Sequence, residues 1–239
     1  MRSFFILVVI SLFALNAYSI DYVFKAGYGI IATWNASDKI GVYAEGGLQT
    51  RFDIKEIEVA DKHYAFTTGY GKSLKNDKTY FAMSPYSMDY YAHDNISTAL
   101  PISYKTLVQT ANDNIQHLAQ QDYMLALVTT TSENEATFDF QHINAVLRLK
   151  VQLPESATFC KASLNTSQGV FVQSGVLNVE TRTIESLSST QILDLMLDDI
   201  KAARKEYLTV YFVMPQTDMT GGQLTATFIT TEGKTYSVW

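Results

Sequence analysis

An all-β fold follows from three observations. Short runs of alternating apolar and polar residues recur along the chain, turn signals of Gly, Asn, Asp and Ser separate them, and helical spacing is scarce beyond the N-terminal segment. Many short strands at this spacing are the pattern of β-sandwiches. No internal repeat of the solenoid or propeller kind is present.

The first element is a leader. Met1-Arg2-Ser3 gives a positive start, Phe4 to Leu15 is apolar apart from Ser11, and Ala17-Tyr18-Ser19 fits a small-x-small cleavage site. The apolar run is too short to span a bilayer, so residues 1–19 read as a signal peptide and no stable transmembrane span is expected. No cysteine lies near the cleavage point, so a lipid cannot be attached there. The formal charge of −6 becomes −7 once Arg2 leaves with the leader, and no basic stripe remains, which argues against nucleic acid as a partner. Cys160 is the only cysteine, which excludes an intrachain disulfide and fits a small core residue better than a nucleophile.

The strands come next, in order. Alternation marks 39–44, 79–83, 123–130, 138–153, 158–164, 169–173, 175–180, 207–214, 223–230 and 235–239. Gly46-Gly47, residues 75–78, 132–134, Ser174-Gly175, residues 220–222 and Glu232-Gly233 supply the turns. Residues 138–151 are the most informative. Phe138, Phe140, then Val146 or Leu147, Leu149 and Val151 line one side of a long strand, and Asp139, Gln141, Arg148 and Lys150 take the other. Residues 191–206 fit both periods; a strand over 190–197, then a loop or short helix, is expected. The polar stretch 112–121 suits a single helical turn. Pro154 cannot continue a central strand, so the boundary between an N-terminal domain (20–153) and a C-terminal domain (154–239) is placed there.

Motifs for catalysis are weak. Gly69-Tyr-Gly-Lys-Ser73 has Phe66 where a phosphate loop needs its first glycine, and reads as a hairpin turn. His63, His93, His117 and His142 do not stand at metal-ligand spacing, so neither a metal nor a cofactor is expected, and no nucleophile elbow appears. The chain is therefore expected not to be an enzyme. Tyr80, Phe81, Tyr86, Tyr90, Tyr91 and His93 form the densest aromatic cluster. Tyr80, Tyr86, Tyr90, Tyr91 and His93 are the candidate ligand or partner surface; the plainer alternative is ordinary core and rim.

Several motifs in order resemble the fimbrillin-like family of Bacteroidetes-type bacteria. Residues 33–44, with Trp34, Asp38 and Gly41, resemble its first strand, and 81–86 resemble a later strand end. Residues 122–126 resemble another step. Phe138-x-Phe140-x-His142-x-x-Ala145-x-Leu147-x-Leu149-x-Val151 resembles its most recognisable strand, and 210–216 and 231–236 its C-terminal strands. Trp34, Asp38, Gly41, Phe140, His142 and Ala145 are the marker positions, with structural roles expected.

The resemblance implies two tandem transthyretin-like Greek-key β-sandwiches, the second incomplete because the chain stops at Trp239 within a strand. It implies an exported subunit of surface fimbriae, of the type V pilin-like kind, that assembles with other fimbrial subunits by strand exchange. The expected location is the cell surface, a fimbrium or the outer membrane, with the periplasm as a further possibility. The alternative is a secreted, non-polymerising β-sandwich that binds a host or bacterial glycan or protein through the aromatic cluster.

Overall fold

The structure, a computed structural model, describes residues 8–13, 24–25, 34–44, 49–57, 65–69, 77–87, 99–129, 136–168, 170–218 and 222–238. Among these residues the fold is all-β, with one short 3-10 turn at Gln116–Gln120 and no helix long and apolar enough to cross a membrane.

The first layer is an antiparallel six-stranded sheet. It contains β3 (Lys39–Ala44), β4 (Gln49–Ile57), β5 (Ala65–Gly69), β6 (Thr79–Ser84), β9 (Met124–Thr129) and β11 (Gln141–His142), in the order β11-β9-β6-β3-β4-β5. Alternation sends successive side chains to opposite faces, and here both faces are covered. Ile40, Val42, Phe52, Ile54 and Ala82 pack with Trp34, Phe138 and Phe140 on one face. Tyr43, Phe81, Met83 and Leu125 pack with Leu100, Ile102 and Leu177 on the other. Tyr43 and Phe81 stack with ring centroids 4.6 Å apart. Beside this sheet, β10 (Phe138–Asp139) pairs in parallel with β2 (Phe24–Lys25).

The largest core lies between two further sheets. One has the order β1-β12-β17, from β1 (Val8–Phe13), β12 (Asn144–Gln152) and β17 (Tyr207–Pro215). The other has the order β19-β18-β13-β16-β8. Its strands are β19 (Thr235–Val238), β18 (Leu224–Thr230), β13 (Ala157–Thr166), β16 (Ile192–Ala202) and β8 (Leu107–Gln109). Leu147, Leu149, Val151, Leu208, Val210 and Phe212 meet Phe159, Leu164, Leu195 and Phe228 between them. Each such side chain contributes about 1.5–3 kcal/mol by leaving water. A three-stranded sheet of β15 (Ile184–Thr190), β14 (Phe171–Asn178) and β7 (Ala99–Ser103), in that order, links this core to the six-stranded sheet. Pro101 sits on β7, the outermost strand of its sheet, where a missing N–H breaks no ladder.

Several expectations need correction. Residues 138–151 are not one strand: they break at Phe140 and Ile143 into β10, β11 and β12, each with a different partner strand. Phe138 and Phe140 pack against the six-stranded sheet, whereas Leu147, Leu149 and Val151 belong to the largest core. Residues 198–202 form no loop or helix. β16 runs on to Ala202 and absorbs extra residues in a bulge opposite Phe159–Lys161, with Asp199 left-handed at φ 47°. Ser174-Gly175 is not a turn. β14 runs through it, and a Cβ on Gly175 would stand 2.6 Å from the Glu185 carbonyl oxygen, so the glycine lets β15 approach. β4, β7, β8 and β15 are strands that alternation does not mark, and Val8–Phe13 within the expected leader is a strand paired with β12.

Candidate functional site

The β1-β12-β17 sheet has two very different edges. An edge strand presents unpaired N–H and C=O groups unless something covers them. On β17 the covering is made of side chains. Gln109, fully buried at the end of β8, donates from Nε2 to the Thr209 carbonyl at 2.9 Å and accepts from the Tyr211 N–H at 3.1 Å. Asn112 accepts from the Thr209 N–H at 2.8 Å and donates to the Tyr207 carbonyl at 2.9 Å. Nε2 of His117 lies 2.9 Å from the Tyr211 carbonyl, which makes it the protonated, donating nitrogen. Side-chain amides and one imidazole thus stand in for a neighbouring strand along residues 207–211.

His117 is held neutral by this arrangement. Burial pushes its pKa below the usual value, and the bond to Tyr211 only partly opposes that. Its Nδ1 is buried without a partner among the described residues, so a second proton there would have none of them to donate to. Beside it, Asp113 accepts from the Tyr211 hydroxyl and from Arg148 at 3.2 Å. Burial, then the Asp113 carboxylate, push the Tyr211 phenol up to about 12. Arg148 lies over the Tyr211 ring at 5.7 Å and Lys150 over Tyr207 at 4.5 Å, so both cations of β12 rest on aromatic faces of β17.

The opposite edge belongs to β12, and a strand covers it. Val8–Phe13 runs antiparallel along β12 in unbroken register, from Val8 opposite Val151 to Phe13 opposite Val146. Backbone from the expected leader therefore occupies the edge that the other described residues leave open.

A family model described as fimbrillin-like matches residues 29–238. The chain belongs to the fimbrillin-like family. The fimbrillin-like chain is also similar in fold to the crystal structure of a candidate cell adhesion protein from Bacteroides ovatus. The TM-score is 0.50 at 15% identity, over 89% of this chain and 79% of the other. No curated protein matches the chain.

The residues that carry the family pattern occupy structural positions. Trp34 is buried with its ring edge-on to Phe140 at 5.6 Å. Asp38 closes the turn before β3 by accepting from the Asn35 N–H at 2.8 Å. Burial pushes its carboxyl above the usual range. Gly41 lies against the buried Gln49 side chain, whose amide nitrogen stands 2.0 Å from where a Cβ would be. His142 Nδ1 lies 2.6 Å from Asp122 Oδ1. Close to it, Asn144 accepts from the Tyr104 hydroxyl at 2.6 Å and donates to the Gln121 carbonyl, a polar knot where the cores meet. Ala145 sits on β12 opposite Met214.

The expected aromatic surface is only partly brought together. Tyr80 is 7% exposed and packs in the core with Trp34 and Phe140, so it offers no ring face to a ligand. Tyr86 is half-buried beyond β6, with the Arg51 guanidinium 6.0 Å from its ring centroid. Tyr90, Tyr91 and His93 lie outside the described residues. Gln109, Asn112 and His117 carry no motif that marks them in the sequence. The one available signal is a run of amide side chains over 109–121, which by itself suits a polar turn equally well.

Proposed function

We propose that this fimbrillin-like protein is an exported, non-enzymatic subunit of surface fimbriae that accepts a strand from a neighbouring subunit along β12. The observation that carries the reading is the β1–β12 pairing: residues that read as a signal peptide hold an edge of the sheet that no side chains cover among the described residues. Removal of residues 1–19 on export strips that partner and leaves the backbone of Val146–Val151 to pair with another chain's extended segment. The family supports a fimbrial role, and its similarity to a candidate adhesion protein supports a place at the cell surface. In this reading the molecule is two transthyretin-like sandwiches in tandem, with the boundary at Pro154.

The test is hydrogen exchange on the chain that begins at Ile20. Outward-facing amides of β12 should exchange quickly. Synthetic peptides matching terminal strands of co-encoded subunits should slow them and raise the melting temperature, since a ligand of the native state alone stabilises it. A well-folded chain that shows neither effect with any of these peptides overturns the strand-acceptor assignment.

A further inference from the structure

A second surface stands apart from β12. A cleft of about 510 Å³ opens between β11, the β14–β15 hairpin and the end of β17, a size within the usual range for ligand sites. None of residues 146–151 lines it, so a ligand bound there is independent of the strand-acceptor reading. Among the described residues that line it, the only formally charged one is Arg182, and no Asp or Glu is present, although the protein is acidic as a whole. Arg182 is half-buried and has no hydrogen-bond or ion-pair partner among the described residues. A guanidinium partly withdrawn from water with no counter-charge is an open anion site, because it has given up hydration without gaining a carboxylate fork.

The remaining walls indicate the kind of anion. Gln141 and Gln216 line the cleft and their side-chain amides have no partner among the described residues, and Ile184 and Pro215 line it as well. No Phe, Tyr or Trp ring stands among the described lining residues, which removes the usual stacking platform for a sugar. One wall is β11, the outermost strand of the six-stranded sheet among the described residues, and an outer edge of this kind suits an extended backbone. We propose that this cleft binds an extended acidic peptide segment, with a side-chain carboxylate held by Arg182 and flanking polar groups by Gln141 and Gln216.

Arg182 is left-handed at φ 58°, a conformation that asparagine adopts more readily than arginine. Arg182→Asn therefore removes the charge while keeping or raising stability, which separates binding from folding. The test is an NMR titration of the full labelled chain. The probes are a blocked peptide with a central glutamate, its glutamine counterpart, and glucuronate. The expected result is a saturable shift of the Arg182 Nε–H signal and of the Gln141 and Gln216 side-chain amide signals with the glutamate peptide, at a dissociation constant of ~1 mM or tighter, the amide signals serving for the Arg182→Asn comparison. Affinity should fall at least about tenfold with the glutamine peptide and with Arg182→Asn at an unchanged or higher melting temperature. No saturable shift, equal affinity for the two peptides, or an unaffected variant overturns the proposal. Tighter binding of glucuronate overturns the peptide assignment in favour of an acidic sugar.

Discussion

At the scale of single residues, the chain closes one sheet edge with side chains, and this makes stability depend on protonation. His117 has an ordinary pKa of 6.5 that burial lowers in the folded protein. As pH falls below 6.5 the unfolded chain takes up a proton that the folded chain resists, so the stabilisation is complete above that value. It declines from there toward the lower folded-state value. Urea melts of the parent and of His117→Gln, which retains a donor for the Tyr211 carbonyl, should differ in slope between neutral and mildly acidic pH. The difference should not exceed about 1.4 kcal/mol per pH unit, the effect of one proton. Parallel curves would show that this imidazole does not govern the response. None of this is legible in the sequence. A histidine beside amide residues says nothing about a partner 94 residues away, because burial and hydrogen bonding both depend on the tertiary fold.

At the scale of elements, the legible strands are those rich in buried apolar residues, on alternate positions in β18 and on both faces in β6 and β17. β3, β6, β9, β13, β17 and β18 stand within a few residues of where alternation places them. β15 escapes because most of it is exposed and its Ser-rich run lacks an apolar face. β8 escapes because it is only three residues long. The junction at Ser174-Gly175 misleads because glycine marks both turns and close approaches. Gly175→Ala checks which applies here. A Cβ there meets Glu185 backbone at 2.6 Å and Ile184 Cγ2 at 2.8 Å, so β15 must lift from β14. The expected loss is about 1–3 kcal/mol in urea unfolding, with faster hydrogen exchange in residues 184–190. A neutral substitution would mean that β15 packs loosely enough to move aside.

At the scale of the whole molecule, strands from the two halves of the sequence are interleaved. Residues 99–109 lie in the first half of the chain, yet β7 pairs with β14 and β8 with β16. β12 precedes Pro154 but forms a wall of the later core. We therefore expect residues 154–239, made alone, to show no cooperative thermal transition, because they lack β7, β8 and β12. A sharp melt with near-ultraviolet dichroism from that fragment would show that these strands are dispensable. The class and the family pattern are legible in the sequence but this interleaving is not, since alternation reports a strand's faces and not its neighbours. The contact between Gln109 and Tyr211 spans 102 residues, and it has a consequence in time. Synthesis delivers Gln109 long before the backbone it must cap, so the side-chain cover of β17 is among the last parts to form. A chain built on such distant pairings folds slowly, on the order of milliseconds to seconds. Until then the backbone of residues 207–211 is without its side-chain cover, and the incomplete chain is most open to pairing with other extended segments.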